Sequence, residues 1–275
     1  MTKKYFTRKY LLQISLVCLV AIYPSVRAAQ SSKGPAKAAG KPAIVLVHGA
    51  FADGTGWHRA IAILQRDGFK NVIAVQNPLS SFATDVETTK RVIAAQQGPV
   101  VVVGHSYGGA VISEAAAGYA NVKALVYIAA FAPEVGEPIG AFGEKYPNSL
   151  GAALRPDAAG FLYMDRGQFH DIFAGDLPVT ESDVAAATQK PIIGSVFGVA
   201  PTQAAWKTIP SWYLVATEDK AINPDLERFY AKRMGAKTVE VKSSHVAFLS
   251  QPAKVAQLIE EAARASMSIK KARIQ

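Results

Sequence analysis

Pro-Val-Val-Val-Val-Gly-His-Ser-Tyr-Gly-Gly, residues 99–109, is the stretch on which the fold of this chain turns. Four successive valines at 100–103 predict a short strand buried on both faces. The chain must then reverse through Gly104-His105-Ser106-Tyr107-Gly108, a G-x-S-x-G pattern. In that pattern the serine occupies a strained strand-to-helix turn, and the flanking glycines admit backbone that a Cβ would exclude. Gly-Ala-Val-Ile-Ser-Glu-Ala-Ala-Ala at 109–117 follows as a helix of small and apolar residues suited to close packing on a sheet. Its N-terminus aims free N–H groups and the helix dipole at whatever reacts with Ser106, which favours developing negative charge.

Outward from this stretch, strand and helix patterns alternate. Toward the N-terminus, residues 43–48 (Ala-Ile-Val-Leu-Val-His) read as a buried strand that runs into His48-Gly49-Ala50-Phe51. Residues 56–66 place Trp57, Ala60, Ile61 and Leu64 at helical spacing, 71–76 form a short strand, and 84–96 form a helix with Val86, Val92, Ile93 and Ala94 inward. Gly98-Pro99 stops that helix. Toward the C-terminus, strands are expected at 122–130, 211–216 and 238–241. A helix between the last two opens at Asn223-Pro224, a cap residue followed by proline at the first helical position, and a final helix spans 252–266. Six strands at this rhythm imply an α/β fold with a mainly parallel sheet, right-handed crossovers and helices on both faces. Residues 131–209 break the rhythm with glycine, proline and aromatics such as Phe142, Tyr146, Phe169, Phe173 and Trp206. A stretch of that length is more than a loop, so a lid subdomain is expected over about 134–208.

With 275 residues, half of them hydrophobic, the chain can bury one sizeable core, the main folded domain being expected at 43–268. Its net charge of +9 is misleading, because residues 42–268 hold 19 of the 30 basic residues and all 21 acidic ones, a net of −2. The folded body is therefore no polyanion binder, and no nucleic-acid partner is expected. The positive charge sits at the ends. Lys3, Lys4, Arg8 and Lys9 precede an apolar run at 11–23 and the small-x-small site Val26-Arg27-Ala28, so residues 1–28 read as an export signal, cut after Ala28 or Ala29. The apolar run is too short to span a bilayer, so no membrane anchor is expected after cleavage and the protein is expected to be periplasmic or secreted. Residues 29–42 read as a flexible linker and 269–275 as a basic tail. Cys18, the single cysteine, lies inside the export signal, which leaves the mature protein without disulfides or thiolate ligands; no histidine pair has metal-ligand spacing, and neither metal nor cofactor is expected.

A serine hydroxyl needs a histidine to take its proton and a carboxylate to hold that histidine in the right tautomer. Of five histidines, His48 and His105 belong to backbone-shaping motifs, His58 lies on a helix and His170 in the lid. His245, after the last strand, is the one that completes the chain order serine, acid, histidine. For the acid, Asp219 lies deeper in the loop after strand 211–216 and has the shorter side chain; Glu218 is the alternative and Glu134 a third. The tetrahedral oxyanion needs two backbone donors: Tyr107 N–H from the motif, and one from the loop after the first strand, Ala50 ahead of Phe51.

With these residues in place the chain resembles the α/β-hydrolases, in particular the branch of plant methyl-ester esterases and hydroxynitrile lyases. The likeness spans about 42–266 and rests on Leu-Val-His-Gly-Ala at 46–50, Val-Gly-His-Ser-Tyr-Gly-Gly at 103–109, Thr-Glu-Asp-Lys-Ala-Ile-Asn-Pro at 217–224, Glu-Arg-Phe at 227–229 and Ser-Ser-His-Val-Ala-Phe-Leu-Ser-Gln-Pro at 243–252. The resemblance implies Ser106, Asp219 and His245 as the triad and Ala50 and Tyr107 as oxyanion donors. The lyases of that branch carry a hydroxyl residue where this chain has Gly49, and a lysine where it has Val246, so the resemblance favours ester hydrolysis. The expectation is a serine esterase for small, largely apolar esters. Lactone or C–C bond hydrolysis by the same triad is the alternative, ahead of a lyase or a non-catalytic receptor.

Overall fold

Buried β-branched runs alternating with amphipathic segments have one economical solution, strands side by side with helices covering both faces. The computed structural model describes residues 40–272; the expected export signal, the linker up to residue 39 and the last three residues of the expected basic tail lie outside the described residues. The first half of the chain runs β1 (Ala43–Val47), α1 (His58–Arg66), β2 (Val72–Val75), α2 (Phe82–Ala94), β3 (Val100–Ser106), α3 (Tyr107–Ala115) and β4 (Val122–Ala130). Next come α4 (Leu150–Ala153), β5 (Leu154–Pro156), β6 (Phe161–Met164), α5 (Arg166–Phe173), α6 (Val179–Thr188) and β7 (Ile192–Ile193). The chain closes with β8 (Ser211–Ala216), α7 (Pro224–Arg233), β9 (Lys237–Val241), α8 (Ala247–Ser250) and α9 (Pro252–Ala272).

Six strands form one sheet in the order β2-β1-β3-β4-β8-β9, every neighbouring pair parallel. The central strands β1 and β3 are buried along their whole length, as continuous apolar runs require. From β1 the chain steps to β2 on one side, then crosses back over β1 to β3 and onward. Right-handed crossovers in opposite directions put α1 on one face and α2, α3 and α7 on the other. Helix α9 joins α1 and packs beneath β3, β4 and β8. The reversal of direction between β1 and β3 opens a crevice at their carboxyl ends, the place where wound α/β sheets hold ligands. Helix starts follow local chemistry: Ser81 Oγ accepts from Thr84 N at 3.1 Å to cap α2, and Asn223 Oδ1 accepts from Asp225 N at 2.9 Å to cap α7, with Pro224 in its first turn.

Three details depart from the sequence expectation. The segment expected as lid contains, besides short helices, a three-stranded antiparallel sheet β5-β6-β7, whose strands of three, four and two residues are too short to show an alternating pattern. Ala94 faces solvent; the inward stripe of α2 is Phe82, Asp85, Val86, Thr89 and Ile93, and Ala94 lies one residue of helical rotation beyond it. Helix α9 continues to Ala272, through the start of the expected basic tail, because the sequence after Ser266 holds no helix-breaking residue. Among the described residues no helix is long and apolar enough to cross a membrane.

Candidate active site

The valine strand β3 ends in the turn its glycines allow. Ser106 has φ 53° and ψ −125°, a conformation that a non-glycine residue keeps only under external constraint. The constraint is visible on both sides. Pairing of β3 with β4 slips between His105 and Ser106, so that Ser106 faces Ala130, and Phe131 N donates to Ser106 O at 3.1 Å. Against β1, Gly108 is pressed so closely that a Cβ there would stand 2.6 Å from Val47 O. Tyr107 opens α3, so its N–H belongs to the first-turn amides that have no partner inside the helix.

The loops after β8 and β9 meet in a buried carboxylate–imidazole hydrogen bond. Asp219 Oδ2 accepts from His245 Nδ1, and both side chains are shielded from solvent. The other oxygen, Oδ1, accepts from Ala221 N at 2.7 Å and Ile222 N at 2.9 Å, so the carboxylate cannot turn away. Donation through Nδ1 leaves the Nε2 lone pair of His245 free to take a proton. His105, the residue before Ser106, donates Nε2–H to the His245 carbonyl at 3.0 Å, and the two rings lie 4.6 Å apart, which brings His245 to the end of β3. The other acids point elsewhere: Glu218, half exposed, pairs with Lys242 at 3.5 Å, and Glu134 pairs with Lys207 at 2.8 Å. His58 is exposed and donates to Thr55 O at 3.1 Å, and His170 stays on α5.

The loop after β1 lies against the elbow, since a Cβ on Gly49 would stand 2.6 Å from Ser106 Cβ. His48 is committed to shaping that loop: Nδ1–H donates to Gly49 O at 2.9 Å and Nε2 accepts from Asn77 N at 3.0 Å. Burial pushes its pKa down to about 4, which keeps the ring neutral. Ala50 is buried beside it, and Phe51 takes φ 59° with its ring edge-on to Phe173 at 6.2 Å.

Residues 166–188 roof this edge. Phe173 of α5 packs on the His245 ring at 4.7 Å, and the Asp176 carboxylate accepts from both Ser244 N, at 3.0 Å, and Ser244 Oγ, tying the roof to the residue before His245. A cavity of about 160 Å³ is lined chiefly by Phe131, Phe142, Leu150, Leu154, Phe197 and Ile222, of which Phe131 bonds Ser106 O and Ile222 bonds Asp219 Oδ1 through their N–H groups. Phe197 sets its edge on Tyr107 at 6.5 Å and on Phe131 at 6.4 Å. Of the expected lid aromatics, Trp206 instead anchors the segment through Nε1–H to Pro133 O at 3.1 Å, and Tyr163 faces solvent.

Sequence reading overlooked three acids in or near this edge, the exposed Asp176 and the buried Asp85 and Glu227. Asp176 gave no local signal. Asp85 and Glu227 had one: each is an acid on the inward stripe of its helix. Glu227 Oε2 accepts from Ala216 N at 2.9 Å, and burial, with Asp219 beside it, pushes its carboxyl well above the usual range. No group of three or more His, Cys, Asp or Glu side chains is placed to hold a metal ion among the described residues.

An α/β hydrolase of Aspergillus novofumigatus is 28% identical over 252 residues, 83% of this chain and 99% of its own length. A carbendazim-hydrolysing esterase of a Nocardioides species is 30% identical over 175 residues, 59% of this chain and 64% of its own. Among solved structures, a pyrethroid hydrolase superposes with a TM-score of 0.71 at 21% identity, covering 83% of this chain and 99% of that one. The structural likeness agrees with the wound parallel sheet. With the model of the alpha/beta hydrolase family matching residues 44–258, the chain belongs to that family.

Proposed function

We propose that this hydrolase is a serine esterase that cleaves small, largely apolar carboxylic esters through an acyl-enzyme. The observation that carries the proposal is the buried Asp219–His245 contact brought by His105 to the strained Ser106 elbow. Ser106 Oγ attacks the ester carbonyl while His245 Nε2 takes its proton, and Asp219 steadies the imidazolium that results. The tetrahedral oxyanion is held by the N–H groups of Tyr107 and Ala50. His245 returns the proton to the leaving alcohol, and water, activated by the same nitrogen, releases the acid. The apolar cavity behind Phe131 and Ile222 has about the volume that holds a single benzene ring, which favours short acyl chains or one aromatic ring over long chains. The name of the Nocardioides relative supports ester chemistry of this kind. The leader reading further makes this an exported enzyme, which N-terminal sequencing of secreted protein tests.

Turnover of p-nitrophenyl acetate and butyrate is the deciding experiment. Ser106→Ala is expected to lower kcat by at least about 10³-fold with substrate binding retained. Equal rates in the two proteins would remove the serine-esterase reading.

A further inference from the structure

Between β2 and α2 the chain makes a turn at 76–81 that bonds directly to the loop after β1 and, through Asp85 of α2, to Tyr107. Asn77 N donates to His48 Nε2 at 3.0 Å, and Asn77 Oδ1 accepts from Thr89 Oγ1 of α2 at 3.3 Å. Two residues on, the fully buried Leu79 has φ 60°, left-handed backbone at a non-glycine residue. It is pinned at both ends: its N–H donates to Asp85 Oδ1 at 2.8 Å, and its carbonyl accepts from Ile193 N of β7 at 2.9 Å. The second oxygen of Asp85 accepts the Tyr107 hydroxyl at 2.8 Å. One buried carboxyl group thus ties the turn to the residue after Ser106, while the other end of the same turn holds the histidine two residues before Ala50.

Burying a carboxyl group is costly and is not needed merely to fill space on an apolar helix face. Burial raises the pKa of Asp85, and its two hydrogen bonds act against that rise by favouring the charged form. We propose that Asp85 is a positioning residue of the oxyanion pocket, fixing the Tyr107 N–H relative to the Ala50 N–H through the Tyr107 hydroxyl and the Leu79 turn. This rests on the serine-esterase reading. Oxyanion donors act by being fixed where charge develops, so letting one drift weakens the transition state more than the bound substrate. The loss should fall on kcat and spare KM.

Tyr107→Phe removes only the hydroxyl and keeps the ring between Phe82 at 6.3 Å and Phe197 at 6.5 Å. Asp85→Asn keeps an acceptor for Leu79 N. Three readouts are taken on each: kcat and KM for p-nitrophenyl butyrate, the rate at which a fluorophosphonate labels Ser106 by intact mass, and the thermal midpoint. Both variants are expected to lose about 10- to 50-fold in kcat and in labelling rate, with KM within about threefold of wild type. Labelling rates and kcat within about twofold of wild type would overturn the proposal, even if the midpoint fell, because that is the signature of a purely structural bond. Should Asp85→Asn fail to fold, Tyr107→Phe alone decides. A wild-type protein that is labelled at Ser106 but turns over no ester ends the esterase reading, and the labelling ratio still judges Asp85. Wild-type protein that resists labelling sinks both.

Discussion

Two hollows in this molecule invite comparison, and the larger is the less informative. About 480 Å³ lies between the edge strand β9 and α9, lined by residues such as Val239, Lys242, Lys254 and Leu258. Its strand is largely exposed, and charges along it pair at the surface, Glu240 with Arg228 at 2.7 Å and Lys237 with Glu261 at 3.8 Å. The smaller hollow, of about 160 Å³, lies behind Phe131 and Ile222, next to an edge built of different material: buried acids, three histidines with little or no exposure, and all four positive-φ non-glycine residues among those described, Phe51, Leu79, Ser106 and Ala129. Each such residue costs on the order of 1–3 kcal/mol and persists only where its surroundings dictate it. Volume records where packing is loose. Strain and buried polarity record where the chain is held against its own preference, and that is the better guide to chemistry.

The hardest blow to this contrast, or its best support, comes from exchanging the two adjacent acids. Asp219→Asn keeps shape but reverses the donor that His245 needs to face, and kcat for p-nitrophenyl butyrate is expected to fall roughly 10³- to 10⁴-fold, while Glu218→Gln stays within about threefold. A collapse in Glu218→Gln with a near-normal Asp219→Asn would place the chemistry on the exposed side of the loop. The next effect is one of stability. His48 is folded with its pKa lowered to about 4 from 6.5, so the unfolded chain takes up a proton that the native protein refuses. Its contribution is therefore intact above about pH 6.5 and is lost as the pH falls toward about 4, an amount of ~3 kcal/mol. Urea unfolding of wild type and His48→Gln at pH 7 and pH 4 isolates it: the stability gap should change by about that amount in favour of the variant at low pH. An unchanged gap would mean that His48 is solvated and the site edge less tightly packed than described. Smallest of all, Val239→Thr and Lys254→Ala in the large hollow should leave kcat within about twofold and stability within about 0.5 kcal/mol. A selective loss of activity there would erase the distinction between the hollows.

What sequence made legible was what is local. The valines of β3 and the glycines around Ser106 dictate their strand and turn within a few residues, and the order serine, acid, histidine survives because each follows a strand of one parallel sheet. Asp219 is preferred over Glu218 in the sequence for its place deeper in the loop and its shorter side chain, and burial supplies the physical reason that spacing alone does not: the structure buries one against His245 and leaves the other beside Lys242. Asp85 and Glu227 escaped notice because acids in a helix are ordinarily counted toward its wet face. Asp176 and Ser244 stand far apart in the chain, and no pattern in either loop announces the other. The small sheet β5-β6-β7 was hidden by strands shorter than one readable period.

The Asp176–Ser244 contact makes the roof and the His245 loop parts of one mechanical linkage. Swinging the Asp176 turn outward to admit a bulky molecule would strip two hydrogen bonds from the residue that precedes His245, and Phe173 would leave the imidazole face in the same stroke. Under the proposed mechanism a molecule that displaced this roof would also disturb the base, so the contact favours molecules slim enough to leave it seated.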